Sequence, residues 1–189
     1  MKIVFDTSAL MSLAAGNILG FTFESLQCVV PERVCEELRG LSKNDTFEWK
    51  IAQLVIDYLQ QAEIVQSYKK SSEGELECAY VANEIEDAEF LITDDTAALS
   101  KLEKICTKEI RFSTIILYAL CLKGKMTKKQ AIHTLEQMRI KRNWGSVPLK
   151  ILRYFNFAWM KLPHVHIFVD WLSNITGVMF FLIWCMKFQ

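Results

Sequence analysis

The stretch Lys2-Ile3-Val4-Phe5-Asp6-Thr7-Ser8-Ala9-Leu10 decides the fold of this chain. Residues 2–5 have the β-branched and aromatic content of a buried strand. The polar run that follows offers caps to a helix over residues 9–15, and Gly16 ends that helix. A strand that leads straight into a helix, with a carboxylate at the junction, is the opening unit of an α/β sheet.

The same alternation of strand and helix continues along the chain. Apolar runs predict strands at 28–30, 64–68 and 90–93. Apolar spacing, Pro31 and the glycines predict helices over 31–40, 45–61, from Gly74, 97–102, 114–122 and 128–140. We therefore predict an α/β fold, a three-layer sandwich around a parallel sheet with right-handed crossovers.

Composition fits one domain with a sizeable core, because the chain has 189 residues of which 51% are hydrophobic. Its net charge of zero hides an asymmetry. Residues 1–95 carry 18 acidic and 7 basic side chains, whereas residues 96–189 carry 4 and 15. An acidic half beside a basic half suits a polyanionic substrate, but charge alone agrees equally with solvated basic helix faces.

The cysteines stand singly, without the paired spacing of a zinc site or a disulfide framework. They are Cys28, Cys35, Cys78, Cys106, Cys121 and Cys185. This pattern is typical of reduced core residues, so a cytoplasmic protein is expected. Asp6 interrupts the first apolar run, and no secretion signal is expected.

Acidic residues recur at the ends of the predicted strands and the starts of the predicted helices. They are Asp6, Glu37, Glu75, Asp94 and Asp95. An open α/β sheet gathers such positions at one crevice, where the carboxylates would repel one another. A hard cation such as Mg²⁺ or Mn²⁺ relieves that repulsion. A single acid of this kind is more often a helix-dipole partner, but the whole set predicts a metal site.

Helical phase selects among the neighbouring acids. On the helix from Pro31, Glu37 shares a face with Val34 and Leu38, whereas Glu36 lies about 100° away. Glu37 is therefore the better ligand candidate of the two.

On the helix from Gly74, Glu75 shares a stripe with Cys78 and Ala79, and Glu77 is expected to point the other way, with Glu84. A carboxylate on an apolar face is costly unless it is paired or bound to a metal, which favours Glu75. Asp94 and Asp95 cannot be separated by phase, because both follow the strand and either can cap the next helix.

Together these motifs resemble the PIN-domain nucleases over residues 1–142. The resemblance is carried by Ile3-Val4-Phe5-Asp6-Thr7-Ser8-Ala9-Leu10, Val34-x-x-Glu37-Leu38, Gly74-Glu75-Leu76-Glu77-Cys78-Ala79 and Leu91-Ile92-Thr93-Asp94-Asp95. It implies a Rossmann-like α/β/α sandwich with a central parallel sheet, and acids that hold Mg²⁺ or Mn²⁺ to cut RNA.

By the same resemblance, the first, second and third acids of the family match Asp6, Glu37 and Glu75, and the last matches Asp94 or Asp95. We take all five as catalytic candidates, and Asp6, Glu37, Glu75 and Asp95 as metal ligands. The third acid is Glu here where many toxin members have Asp.

Substrate-binding candidates come from two segments. Thr7 and Ser8 are expected to orient Asp6 or a phosphate through their hydroxyls, although helix capping explains them equally well. The basic segment from Lys123 to Arg142 contains one acid, Glu136. From it we predict that RNA phosphates contact Lys125, Lys128, Lys129 and Arg142.

Residues 143–189 form an apolar extension of uncertain role. Residues 167–186 are long enough to span a bilayer, although Asp170 and Asn174 weaken that interpretation. A dimerisation or core-completing helix is the favoured interpretation. A membrane anchor and a tail that has diverged from its family are the other two.

Three functional hypotheses follow. The favoured one is a metal-dependent endoribonuclease resembling the toxin of a VapBC-type toxin–antitoxin pair, with RNA as substrate, a homodimeric state and an antitoxin protein as partner. The second is a housekeeping PIN endonuclease of RNA maturation. The third is a non-catalytic acidic α/β module similar to a receiver domain.

Overall fold

The computed structural model describes residues 2–42, 47–69, 71 and 74–144. The strands are β1 (Lys2–Phe5), β2 (Gln27–Pro31), β3 (Glu63–Val65), β4 (Ala88–Ile92) and β5 (Glu109–Arg111). The α-helices are α1 (Thr7–Ala15), α2 (Leu19–Ser25), α3 (Glu32–Leu41), α4 (Phe47–Tyr58), α5 (Gly74–Glu84), α6 (Leu99–Ile105), α7 (Thr114–Leu122) and α8 (Lys128–Lys141). A 3₁₀ turn, Leu59–Gln61, follows α4.

The strands form one parallel sheet in the order β3-β2-β1-β4-β5. From β1 the chain moves outward to β3, then returns to place β4 on the other side of β1. Right-handed crossovers therefore put α1 to α4 on one face and α5 and α6 on the other. The contacts of α1 with α4 and α8, and of α5 with α6, agree with this arrangement. The predicted α/β three-layer sandwich with a parallel sheet is confirmed.

The central strand β1 and its neighbour β4 lie in the middle of the core. Val4 and Phe5 of β1 and Leu91 and Ile92 of β4 are completely buried. Strands covered by helices on both faces read as continuous apolar runs, which is why both are evident in the sequence. Their carboxyl ends lie side by side at the point where the strand order reverses, and such a point is where open α/β sheets bind ligands.

Two elements, α2 and β5, have no clear signal in the sequence. The helix α2 contains Gly20, Thr22 and Phe23, which are poor helix formers, and its packing on α4 and α7 stabilises it instead. The glycine gives Tyr58 room, because a Cβ at Gly20 would lie 3.1 Å from Cε1 of that ring. The strand β5 is short and carries two charged residues, and only its pairing with β4 identifies it.

Several predicted boundaries shift by a few residues. The strand predicted at 64–68 is β3, the helix predicted at 45–61 divides into α4 and the 3₁₀ turn, and the helix predicted at 97–102 is α6. Thr7 and Ser8, predicted as caps, lie within the first turn of α1, and Asp6 alone is the N-cap.

The apolar extension begins at the edge of the described chain. Residues 145–189, and with them the three interpretations of the tail, lie outside the described residues. Within the described ranges, no helix has the length and apolar character needed to cross a membrane. The cysteines described, all but Cys185, are free thiols. The domain boundary at residue 142 stays a prediction.

Candidate active site

A cleft of about 220 Å³ opens at the carboxyl ends of β1 and β4. Four of the five acids selected from the sequence line it, and Glu48 joins them. The acidic lining residues are Asp6, Glu37, Glu48, Glu75 and Asp95. Arg142 is the only basic residue among the described residues that line this cleft. The sheet thus brings together acids that are spread over about 90 positions of the sequence.

Asp6 is the most constrained of these acids. Its carboxylate accepts hydrogen bonds from Ala9 N at 2.8 Å, from Ser8 Oγ at 2.9 and 3.0 Å and from Thr93 Oγ1 at 2.5 Å. Burial raises the pKa of Asp6 from 3.8 to about 7, although these hydrogen bonds act in the opposite direction. The charged carboxylate is therefore well oriented but poorly solvated.

Thr93 was not singled out as a site residue in the sequence. The pairing of Phe5 with Ile92 brings the residues that follow β1 and β4 side by side. Thr93 is completely buried and donates to Asp6. Both residues directly follow apolar strands, but this signal becomes useful only once the two strands are known to be neighbours.

Glu37 projects into the cleft from α3, as its helical phase indicated. Its side chain is 33% exposed, and its Oε1 lies 3.7 Å from Arg33 Nε. The neighbouring Glu36 lies outside the cleft and is closer to the same arginine, at 3.0 Å. Thr7 Oγ1 donates to Glu37 Oε2 at 2.6 Å. The two hydroxyls at the start of α1 therefore orient different acids, since Ser8 holds Asp6 and Thr7 holds Glu37.

Gly74 provides the space for Glu37. A Cβ built on Gly74 would lie 1.9 Å from Glu37 Oε1, which is too close for both to stay. The carboxylate is the end of a flexible side chain, so it would move rather than the helix. The glycine at the start of α5 is thus a positioning residue for Glu37.

If the cleft performs the RNA cleavage expected from the sequence, Gly74→Ala should lower the cleavage rate by about 10²-fold with an unchanged unfolding midpoint, because displacement of a functional group by about 1 Å costs that much. Cleavage kinetics and urea unfolding measure the two effects. Gly40→Ala is the matched control, because a Cβ there meets nothing within 4 Å. Equal activity of the two variants would show that Gly74 does not position Glu37.

Glu75 lies in the first turn of α5 and lines the cleft. The expectation that Glu77 points outward with Glu84 is wrong, because Glu77 is only 8% exposed while Glu84 is exposed. The helix contacts β1, β2 and β4 as well as α3 and α6, so more than one of its sides is covered. Glu77 is nevertheless absent from the cleft lining.

The structure separates Asp94 from Asp95. Asp94 lies outside the cleft, where its carboxylate accepts from Ser113 N at 2.9 Å and Ser113 Oγ at 2.6 Å. Burial raises its pKa. Asp95 lines the cleft, and its Oδ1 accepts from Ala97 N at 2.8 Å. Asp95 has the placement of a site residue, and Asp94 anchors the start of α7.

Asp95→Asn is therefore expected to reduce cleavage by about 10²-fold while stability stays close to wild type. Asp94→Asn should retain most of the activity and stay folded, because Asp94 does not line the cleft and an amide can still form hydrogen bonds with Ser113 N and Oγ. Initial cleavage rates and urea unfolding of the two variants test this. The reverse order of activities would assign the site role to Asp94.

The basic candidates do not lie together. Arg142 lines the cleft, whereas Lys128 and Lys129 begin α8, about 20 Å away along that helix at about 1.5 Å per residue. Lys125 precedes the same end of α8 and, like Lys129, is exposed. Of the predicted phosphate contacts, only Arg142 is next to the acids.

The donor set fits a hard divalent cation. No three histidine, cysteine or acidic side chains of the described residues lie close enough to hold a metal directly. Mg²⁺ commonly keeps several waters and takes only one or two carboxylates from the protein, so a cleft lined by Asp6, Glu37, Glu75 and Asp95 suits it. A cation would also stabilise the poorly solvated charge of Asp6.

Comparison with known proteins gives one family. The profile of DUF3368, described as a PIN domain, matches residues 2–150 of the 189. Every residue that lines the cleft falls within this match. No curated protein matches the chain significantly.

Proposed function

Since the chain belongs to the PIN-domain family, whose members are generally nucleases, we propose that it is a divalent-metal-dependent endoribonuclease. Its RNA substrate would be hydrolysed in the cleft at the ends of β1 and β4. The observation that carries the proposal is the buried Asp6, fixed by Ser8 and Thr93 and facing the same cleft as three other selected acids. The family match also favours the two nuclease hypotheses over a receiver-like module.

The residues at the cleft have different proposed roles in hydrolysis. Ser8, Thr93 and the start of α1 keep Asp6 oriented, and Thr7 does the same for Glu37. Glu75 and Asp95 complete the acidic lining. When bound, Mg²⁺ or Mn²⁺ supplies a Lewis acid that polarises the phosphodiester and favours deprotonation of the attacking water. Carboxylate oxygens are suitable ligands for both ions.

Incubation of the purified full-length protein with end-labelled RNA tests the proposal. Cleavage is expected with Mg²⁺ or Mn²⁺, absent in EDTA and restored when the metal is added back. An internal position of the first cut would show endonuclease activity, whereas single-nucleotide products would show an exonuclease. Cleavage that persists unchanged in EDTA would overturn the metal dependence.

The lysines at the start of α8 are proposed to hold a more distant part of the RNA. Neutralising Lys125, Lys128 and Lys129 together should weaken RNA binding and flatten its salt dependence, by a slope of about one for each phosphate that is no longer neutralised. KM should rise more than kcat falls, because these residues lie far from the acids. Binding in Ca²⁺ over a range of salt measures the slope. An unchanged slope would place the RNA elsewhere.

The narrower form of the proposal is that the enzyme is a cytoplasmic, homodimeric toxin held inactive by an antitoxin protein. Its support is the resemblance of the ordered acidic motifs to toxin members of the family. Induced expression in a bacterial host should then arrest growth with the wild-type chain and not with Asp6→Asn. Coexpression of a small reading frame adjacent to the gene should relieve the arrest. Normal growth would favour the housekeeping alternative.

A further inference from the structure

Arg142 places a guanidinium in an acidic cleft, and one of its nitrogens is without a hydrogen-bond partner among the described residues. It caps the carboxyl end of α8, and its backbone N donates to Met138 O at 2.9 Å. Only 19% of its side chain is exposed. Its Nε is buried and has no hydrogen-bond partner within the described part of the chain. A buried donor of this kind favours binding of an anion that reaches it.

Among the described residues, Glu48 is the carboxylate within ion-pair distance of Arg142, and it is held loosely. Glu48 Oε1 lies 3.8 Å from Arg142 Nη1, which is an ion pair but too long for a hydrogen bond. The Glu48 side chain is 62% exposed at the start of α4, and exposed pairs of this type contribute little to stability. Glu48 is therefore poised to leave when a stronger acceptor arrives.

A phosphodiester of RNA can supply the anionic hydrogen-bond acceptor that Arg142 lacks. Its two nonbridging oxygens, which share one negative charge, match the fork of a guanidinium, which donates two parallel hydrogen bonds to phosphate. The surrounding acids, Asp6, Glu37, Glu75 and Asp95, would otherwise repel the RNA backbone. Arg142 offsets part of that repulsion only while it is not neutralised by Glu48.

We propose that Arg142 binds an RNA phosphate at the cleft and that Glu48 is a competing carboxylate which this phosphate displaces. The proposal rests on the endoribonuclease function and adds to it a phosphate-binding residue with a built-in competitor. Glu48 thereby lowers the RNA affinity of the cleft.

The test measures binding of a short fluorescein-labelled RNA of mixed sequence in Ca²⁺ and in EDTA, by anisotropy, alongside cleavage kinetics in Mg²⁺. Arg142→Lys keeps the charge but loses the fork, and is expected to weaken binding several-fold. Arg142→Gln should weaken binding by tenfold or more. In the cleavage assay it should raise KM more than it lowers kcat. Glu48→Gln should tighten binding several-fold. Asp57→Asn on α4 and Arg39→Gln on α3, both exposed, are the charge-matched controls.

A double-mutant cycle separates competition for Arg142 from a general charge effect. If Glu48 competes with phosphate for the guanidinium, Glu48→Gln should tighten binding in the wild-type background and lose most of that effect in the Arg142→Gln background. An equal effect in both backgrounds, or one matched by Asp57→Asn, would overturn the proposal. Urea unfolding of each variant shows whether its fold is intact.

The two proposals fail in different ways. Wild-type protein that neither binds nor cuts RNA would refute the endoribonuclease function itself. Wild-type protein that cuts RNA, with Arg142 and Glu48 variants that bind it as the controls do, would refute only the phosphate-binding role.

Discussion

Asp6→Asn is expected to abolish metal-dependent RNA cleavage, by about 10³-fold or more, while the fold stays intact. The substitution keeps the volume of the side chain and removes one charge from the cleft. Loss of a metal-directed carboxylate removes several kcal/mol of transition-state stabilisation, which corresponds to that factor. The hydroxyls of Ser8 and Thr93 can rotate to accept from the new amide, so their hydrogen bonds are retained.

The same variant should be more stable than wild type without metal at high pH. Burial raises the pKa of Asp6 from 3.8 to about 7. Because the folded state holds this proton more tightly than the unfolded state, the protonated carboxyl contributes fully to stability below pH 3.8. This contribution is lost as the pH rises through about 7. At about pH 8 the ionised wild-type group costs on the order of 4 kcal/mol, which the Asn variant avoids.

Urea unfolding in EDTA at about pH 5 and about pH 8 measures this difference, and end-labelled RNA measures cleavage. The free energy of unfolding of wild type, relative to that of Asp6→Asn, should be lower at about pH 8 than at about pH 5. Added Mg²⁺ should stabilise wild type more than the variant. The exposed aspartate of α4 provides the control variant Asp57→Asn, which should change neither property. If Asp6→Asn cleaves RNA at the wild-type rate, Asp6 has no role in the reaction.

The second large effect is the ranking of neighbouring glutamates. Glu37→Gln and Glu75→Gln should each reduce cleavage by about 10²-fold or more, because both side chains line the cleft. Glu36→Gln and Glu77→Gln should stay within a few-fold of wild type, because neither does. Each pair compares the same substitution on the same helix, so helix propensity and charge change cancel.

Initial rates at saturating Mg²⁺, with a titration of Mg²⁺ for each variant, provide the ranking. A weaker apparent metal affinity for Glu37→Gln and Glu75→Gln would support their role as ligands. The informative comparison is within α5, where Glu77 is buried although it was expected to face outward. If Glu77→Gln is the more damaging of the two, the third ligand moves to Glu77.

The sequence by itself determined the class of the fold and the position of the first acid. The apolar runs that became β1 and β4 are covered on both faces, so their composition alone indicates strands in a parallel sheet. Asp6 follows from the same pattern, because it ends such a run. The phase of Glu37 on α3 also followed from local spacing, since one buried face of that helix is enough to define it.

Only the tertiary structure decided the remaining details. Thr93 holds Asp6 because β4 returns beside β1, and no local pattern encodes which strands become neighbours. Asp94 and Asp95 have the same local setting, and the contact of Asp94 with Ser113 separates them. Glu77 is buried because α5 is covered on more than one side. The periodicity of a sequence indicates one buried face of a helix or strand. Whether a second face is also buried depends on contacts with segments that are distant in the sequence.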